Sequence, residues 1–287
     1  MLSELFSDFE NLLSLEDLDF KVYLAFYSIV FLYGIAVGSF LNVLIFRLPK
    51  NESLTKSSSH CMTCGAKIKA YDLIPLFSWL ILRGKCRNCK EKISPRYPIV
   101  EALNGIVYVI TFTVLDFNVK SIITALFFSL LIVVGFMDWD TLEMDLRILV
   151  SIGVLAVISA ILTDELTIPN RIIGGLCVSV PFFLIGEISG KIIEKKTGEK
   201  IRGIELGDTI LMFFSGLLIG TKPIIVSAAF GIMIAALGGI INKIRTKESK
   251  FAFGPYLAIG IAIGTLFGNQ MIDAYINWFQ SKLTAGM

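Results

Sequence analysis

Long, almost unbroken apolar runs constrain this chain more than any other feature. They cover residues 22–46, 99–115, 122–137, 146–162, 168–189, 209–220, 224–241 and 251–267. Several approach or exceed the roughly 20 residues needed to cross a ~30 Å hydrocarbon core. Inside lipid the backbone must satisfy its own N–H and C=O groups, so runs of this kind fold as helices. The fold class expected is an all-α polytopic membrane protein of about eight transmembrane helices. Charge agrees: 17% of residues are charged, against about 25% in a typical soluble domain. The sixth run is short, so it is either partly re-entrant or extends past its apolar limits. Gly34 and Gly38 in the first run, and Gly260, Gly264 and Gly268 in the last, recur every four residues. That spacing lets helix backbones approach closely. Asn42 suits an interhelical hydrogen bond or a place in a site lining.

One hydrophilic segment, residues 47–98, interrupts the apolar pattern. It holds eleven basic residues against the three acids Glu52, Asp72 and Glu91. A loop this basic stays in the cytoplasm. Eight crossings then put the N-terminus outside. The later loops agree: Lys191, Lys195, Lys196, Lys200 and Arg202, then Lys243, Arg245, Lys247 and Lys250, fall on the cytoplasmic side. Residues 1–21 form an acidic arm outside the membrane, with six acids and no base in the first 20 residues, the reverse of a signal-peptide start. The division expected is that arm, a first helix over 22–46, a four-cysteine loop domain over 47–98 and a seven-helix part over 99–287.

The loop carries Cys61-Met-Thr-Cys64 and Cys86-Arg-Asn-Cys89, with 21 residues between the pairs. Cytoplasmic thiols stay reduced, and four thiolates in two tight knuckles suit a closed, structural zinc site. Dithiol redox chemistry is the alternative. Gly65 and Gly84 are placed for turns near the knuckles. His60, the single histidine, reads as a surface residue beside the cluster, and Cys177 as a small buried hydrophobe.

Acids at membrane depth are costly and point to function. Asp138 ends one apolar run and Asp208 opens another, 70 residues on, both at the inner boundary. Two carboxyl groups brought close in a partly dry site cannot both ionise easily, so one keeps its proton while the other stays charged. Such a pair can activate water and protonate a leaving amine. Interfacial helix capping is the competing role, and Asp140, Glu143 and Asp145 compete with Asp138. No phosphate-binding or dinucleotide-binding loop is present, and no nucleic-acid partner is expected.

Several stretches resemble the type IV prepilin leader peptidases. They are Gly38-Ser-Phe-Leu-Asn-Val-Leu-Ile-Phe-Arg-Leu-Pro49, Tyr71-Asp-Leu-Ile-Pro-Leu-Phe-Ser-Trp79, Leu82-Arg-Gly-Lys-Cys86, Ile93-Ser-Pro-Arg-Tyr-Pro98 through Glu101, and Phe253-Gly-Pro-Tyr-Leu-Ala258. The resemblance implies an eight-helix membrane aspartic peptidase of the GxGD type in the bacterial inner membrane. It implies cleavage of the basic leader of prepilins or pseudopilins at the cytoplasmic face, with Asp138 and Asp208 as the catalytic pair. It also implies N-methylation of the new N-terminus with S-adenosylmethionine, associated with the cysteine loop and with Gly84. The chain departs from the family pattern at Met144-Asp145-Leu146 (usually Ile-Pro-Asn or Ile-Pro-Asp), Glu205 (usually Gly) and Ile210 (usually Lys). It departs again at Ser58 and Met62, where Arg and Pro are common.

The partners expected are a prepilin or pseudopilin and membrane lipid. The leader's positive charge would lie near Asp140, Glu143, Asp145 and Glu205. Two alternatives remain: a methyltransferase whose peptidase half has decayed, and a non-catalytic assembly factor that binds pilin-like helices.

Overall fold

The computed structural model describes residues 20–54, 59–198, 202–246 and 252–285. The acidic arm up to residue 19, Ser58, Lys200, Lys247 and Lys250 lie outside the described residues. Among the described residues eight helices follow the apolar runs: α1 Phe20–Arg47, α2 Arg96–Val114, α3 Val119–Thr141, α4 Leu146–Leu162, α5 Ile168–Thr197, α6 Leu206–Ile219, α7 Thr221–Thr246 and α8 Gly254–Ala285. Among the described residues six are long and apolar enough to span a membrane, while α4 and α6 are shorter apolar helices. Strand pairing among the described residues is limited to two isolated bridges in the cysteine loop.

The ends of these helices differ from the apolar limits where polar chemistry extends them. Helix α8 runs 32 residues, about 48 Å, well past the expected end at residue 267. Its C-terminal part carries polar groups that keep helical geometry without keeping the apolar pattern, and Asp273 there bonds Lys222 of α7 at 2.6 Å. Helix α6 begins at Leu206, so Asp208 lies inside its first turn rather than ahead of it. It has only 14 residues, about 21 Å, and Gly220 (φ +83°) turns the chain straight into α7.

The chain divides into two compact units at Val133/Val134. In the first, α1 and α2 touch backbone to backbone. A Cβ on Gly34 would lie 2.7 Å from Gly105 Cα, and one on Gly38 would lie 2.8 Å from Glu101 Cα. Asn104 is fully buried: its amide donates to Gly34 O (2.7 Å) and its oxygen accepts from Ser129 (2.9 Å). Asn42 donates to Tyr97 O at 3.1 Å, which realises the interhelical bond. Buried Glu101 accepts the Leu76 N–H at 2.6 Å, holding Leu76 in a γ-turn at φ +63°, ψ −54°.

The second unit uses the same device. Gly260, Gly264 and Gly268 face Gly231, Ser227 and Pro223, so their four-residue spacing is the α7–α8 contact itself. Gly174 and Gly216 bring α5 and α6 together. Buried Arg171 then ties three helix ends, donating to Leu217 O (3.3 Å) and to the Ser159 hydroxyl (3.2 Å).

Where backbones touch, any added side chain must push helices apart. Gly34→Leu should therefore cost about 1–3 kcal/mol as overpacking. It should lower the melting temperature of the purified protein, read by loss of monodisperse elution after heating. An unchanged transition would show that α1 and α2 are not packed this closely.

Candidate active site and cysteine cluster

Asp138 lies in the last turn of α3 and is 5% exposed. A carboxylate there opposes the negative end of the helix dipole and also loses its water, so local helix stability does not explain it. It is held from outside its own helix. The first N–H of α8, that of Gly254, donates to Asp138 Oδ2 at 2.7 Å. Gly254 has no room for a side chain: a Cβ would sit 2.9 Å from that same oxygen and 2.6 Å from Met144 Cε.

Asp208 is 4% exposed and stands at the third position of α6. It forms a capping box with Glu205. The Glu205 N–H donates to Asp208 Oδ2 (3.2 Å), and the Glu205 side chain accepts the Asp208 N–H. The charge of Asp138 acts on Asp208, and the charge of Glu205 acts on both. Helix ends from α3, α6 and α8 thus converge on two buried carboxyl groups, with the Met144 side chain packed between Gly207 and Gly254 beside them.

The other acids are placed differently. Asp140 and Glu143 are exposed at the end of α3 and just after it. Asp145 caps α4, accepting from the Arg147 N–H (2.8 Å) and pairing with its guanidinium. The Arg147 side chain bonded to it holds the Asp145 carboxyl below its usual range. Glu205 is exposed but committed to its cap. Two site residues escaped sequence reasoning, Gly254 and Met144. Gly254 lies within a motif already singled out, and its N–H role depends on a contact 116 residues away.

The four cysteines of the loop form one cluster. Their sulfur atoms all lie within 4.8 Å of one another. Cys61 and Cys89 Sγ are 3.8 Å apart, which matches the about 3.8 Å spacing that tetrahedral Zn–S bonds of about 2.3 Å would give. The two knuckles are built alike. Cys61 N–H bonds Ala66 O and Gly65 N–H returns to Cys61 O; Cys86 N–H bonds Glu91 O and Lys90 N–H returns to Cys86 O. The bridges His60–Lys67 and Lys85–Lys92 flank them at equal offsets. Gly65 (φ +67°) makes the first turn as expected, but Lys90 (φ +60°) makes the second. Gly84 serves elsewhere. At φ +66° it closes the helical turn Phe77–Ile81, with the Trp79 ring 2.8 Å from where its Cβ would be. Hydrogen bonding to the Cys64 and Thr63 backbone pulls the Cys61 thiol down to about 6. The cluster can hold a metal ion.

Fold and site together define a polytopic helical membrane protein with a buried carboxyl pair and a four-thiol centre. A family model for the bacterial peptidase A24 N-terminal domain matches residues 32–115. A prepilin leader peptidase/N-methyltransferase of Aeromonas salmonicida (strain A449) is 28% identical over 301 residues, covering 90% of this chain and 95% of its own. The type 4 prepilin-like proteins leader peptide-processing enzyme of Escherichia coli O78:H11 (strain H10407 / ETEC) is 30% identical over 257 residues, covering 82% and 91%. A prepilin leader peptidase/N-methyltransferase of Pseudomonas aeruginosa is 28% identical over 303 residues, covering 89% and 95%. No solved structure matches at the same significance. The chain belongs to the prepilin leader peptidase/N-methyltransferase family.

Gly84→Ala combines a left-handed backbone with a collision against Trp79, each costing about 1 kcal/mol or more. In a background with Trp139 and Trp278 replaced by Phe, it should shift the Trp79 emission and speed proteolysis of the loop. Unchanged emission would remove the contact.

Proposed function

We propose that this protein is a membrane aspartic endopeptidase that removes the leader of prepilins or pseudopilins, and that it also N-methylates the new N-terminus. The observation that carries the peptidase reading is the pair Asp138 and Asp208: buried, mutually interacting, and each fixed by a backbone N–H from another residue. Two carboxylates that interact in a buried site do not both ionise easily, so one carboxyl holds a proton in this reading. The charged partner takes a proton from water, and the resulting hydroxyl adds to the scissile carbonyl carbon. The protonated partner gives its proton to the carbonyl oxygen. The proton taken from water then passes to the amide nitrogen, the C–N bond breaks as one gem-diol hydroxyl returns its proton to the pair, and a leader acid and a free amine result.

The cysteine cluster suits zinc by its donor set and spacing. Cys61, Cys64, Cys86 and Cys89 would hold it as a closed site that folds the loop of residues 47–98 and takes no part in bond cleavage. S-adenosylmethionine, if bound, would supply the methyl group for the second reaction, and the loop with Gly84 is the segment we assign to it. The distribution of basic loop residues supports an outside N-terminus and a cytoplasmic active site in the inner membrane. There Asp140, Glu143 and Glu205 give the face around the pair a negative charge that suits a basic leader, while Asp145 is neutralised by its pairing with Arg147.

Purified protein in detergent with a leader-bearing prepilin tests this directly, by following substrate mass. Asp138→Asn and Asp208→Asn should each lower cleavage by roughly 10²- to 10⁴-fold while the variants stay folded. Cleavage at wild-type rates in both would end the aspartic reading. Gly254→Ala should lower kcat on the order of 10²-fold by displacing Asp138, with little change in KM.

Elemental analysis should find about one zinc per chain, lost in a Cys86→Ser/Cys89→Ser variant whose loop becomes protease-sensitive. Wild-type protein free of metal, with an intact loop, would count against the zinc.

A further inference from the structure

Residues 73–81 of the cysteine loop are built inside out for a segment in water. Ile74, Phe77, Leu80 and Ile81 fall at helical spacing along the short helix Phe77–Ile81 and the turn before it, and all four side chains are exposed. The polar groups turn inward instead. The Ser78 hydroxyl donates to Tyr71 O at 2.9 Å, and Trp79 Nε1 donates to Ile93 O at 3.2 Å. The turn also spends its own N–H groups. Pro75 has none, Leu76 donates to buried Glu101 (2.6 Å), Phe77 to Pro75 O (2.6 Å) and Ser78 to Ile74 O (3.1 Å). A backbone in water needs no such provision; one against lipid does.

The depth of the stretch follows from the Glu101 bond. Glu101 is the sixth residue of α2, and helix side chains lean toward the N-terminus, so Leu76 lies beside the first two turns of α2. Those turns meet α1 between Asn42, bonded to Tyr97 O, and Gly38, whose Cβ would stand 2.8 Å from Glu101 Cα. Both contacts fall within the apolar run 22–46, and α1 and α2 are each long and apolar enough to span a membrane. Leu76 therefore lies alongside the apolar length of two spanning helices, not beyond their ends. Tyr97 and Ile99 of α2 are exposed at the same level.

We propose that residues 73–81 are a lipid anchor: Ile74, Phe77, Leu80 and Ile81 enter the acyl region of the adjoining leaflet, while Lys69, Arg83 and Lys85 at the borders of the stretch take anionic headgroups. Charge selects this occupant. Asp72, the nearest acid in sequence, is matched by the Arg87 guanidinium in a forked pair (2.8 and 2.6 Å). The exposed Lys69, Arg83 and Lys85 thus leave the border cationic. Such a border repels a basic leader and attracts an anionic lipid surface. The anchor also fixes the height of the four-thiol centre. Gly84 packs on the Trp79 ring and its carbonyl accepts the Ile93 N–H (2.8 Å), so the stretch is braced two residues ahead of Cys86. An anchor of this kind needs neither cleavage nor methyl transfer, and it can be measured in inactive protein.

The test uses the full-length protein in lipid nanodiscs, with photoreactive p-benzoylphenylalanine in place of Phe77, of Ile81 or, as a control, of Met62, which is exposed on the first knuckle. On irradiation, positions 77 and 81 should gain the mass of a phospholipid, and position 62 should not. Labelling without lipid at 77 and 81, or equal lipid labelling at 62, overturns the anchor. So does a leader-bearing prepilin peptide that replaces lipid as the labelled species, which would make the stretch a substrate surface. Hydrogen exchange reads the part played by headgroups. Amides of residues 76–82 should exchange about tenfold more slowly in discs holding anionic phosphatidylglycerol than in neutral phosphatidylcholine discs. Lys69→Gln, Arg83→Gln and Lys85→Gln together should remove the difference. Equal exchange of the wild type in both discs overturns the assignment of these bases, and if the triple variant does not fold that wild-type comparison decides.

Discussion

The bond from the Gly254 N–H to Asp138 Oδ2 is the interaction on which the second unit depends. A carboxyl group only 5% exposed loses water and needs fixed donors in exchange. Helix α3 cannot provide them, because its last turn presents carbonyl groups. The start of α8 can, since its first N–H groups have no partner within their own helix. That single requirement brings together chain segments 116 residues apart. It also explains why residue 254 is glycine: any Cβ would stand against the oxygen it must serve. Asp208 meets the same requirement locally, through the Glu205 N–H of its own capping box.

Such a bond holds only if α8 is fixed along its length. The small residues facing α7 do this, bringing Gly260 and Gly264 onto the Ser227 and Pro223 backbone. In lipid, helices gain little from burying apolar surface against one another, so contact distance and hydrogen bonds must do that work. Buried Arg171 adds polar stitching between the ends of α4, α5 and α6. The first unit solves a different problem. Its cysteine loop is short, polar and nearly without a core, and four thiols within 4.8 Å of one another offer a metal-centred substitute for one.

Helix existence was legible because lipid leaves the backbone few choices, and the apolar runs therefore marked all eight helices. Their ends were less so. Nothing in hydropathy extends α8 through its polar C-terminal part, and the start of α6 at Leu206 is set by a capping box, not by an apolar limit. The cysteine spacing gave away the cluster. The turn of its second knuckle did not show, since Lys90 at φ +60° carries no compositional mark, and Gly84 drew attention as the glycine nearby. Asp138 and Asp208 could be picked out as boundary acids. Asp140, Glu143 and Asp145 could not be separated from Asp138 without the structure, which leaves the first two exposed and pairs the third with Arg147. The Gly254 donor needed a contact between distant segments, which no local pattern encodes.

The departures from the family's pattern read differently once placed. Taken alone, Met144 reads as a break in the motif after Asp138. Instead its side chain fills the space between Gly207 and Gly254, closing the carboxyl pair off on that side with a flexible, apolar group. Glu205 replaces a glycine yet completes a reciprocal cap that aims its own N–H at Asp208. Leu146 and Ile210 share one groove wall to wall, so their changes are of one kind and in one place. Four of the altered positions, Met144, Leu146, Glu205 and Ile210, thus pack, cap or match in polarity at helix ends whose two carboxyl groups keep their donors, whereas Met62 stands exposed on the cysteine loop.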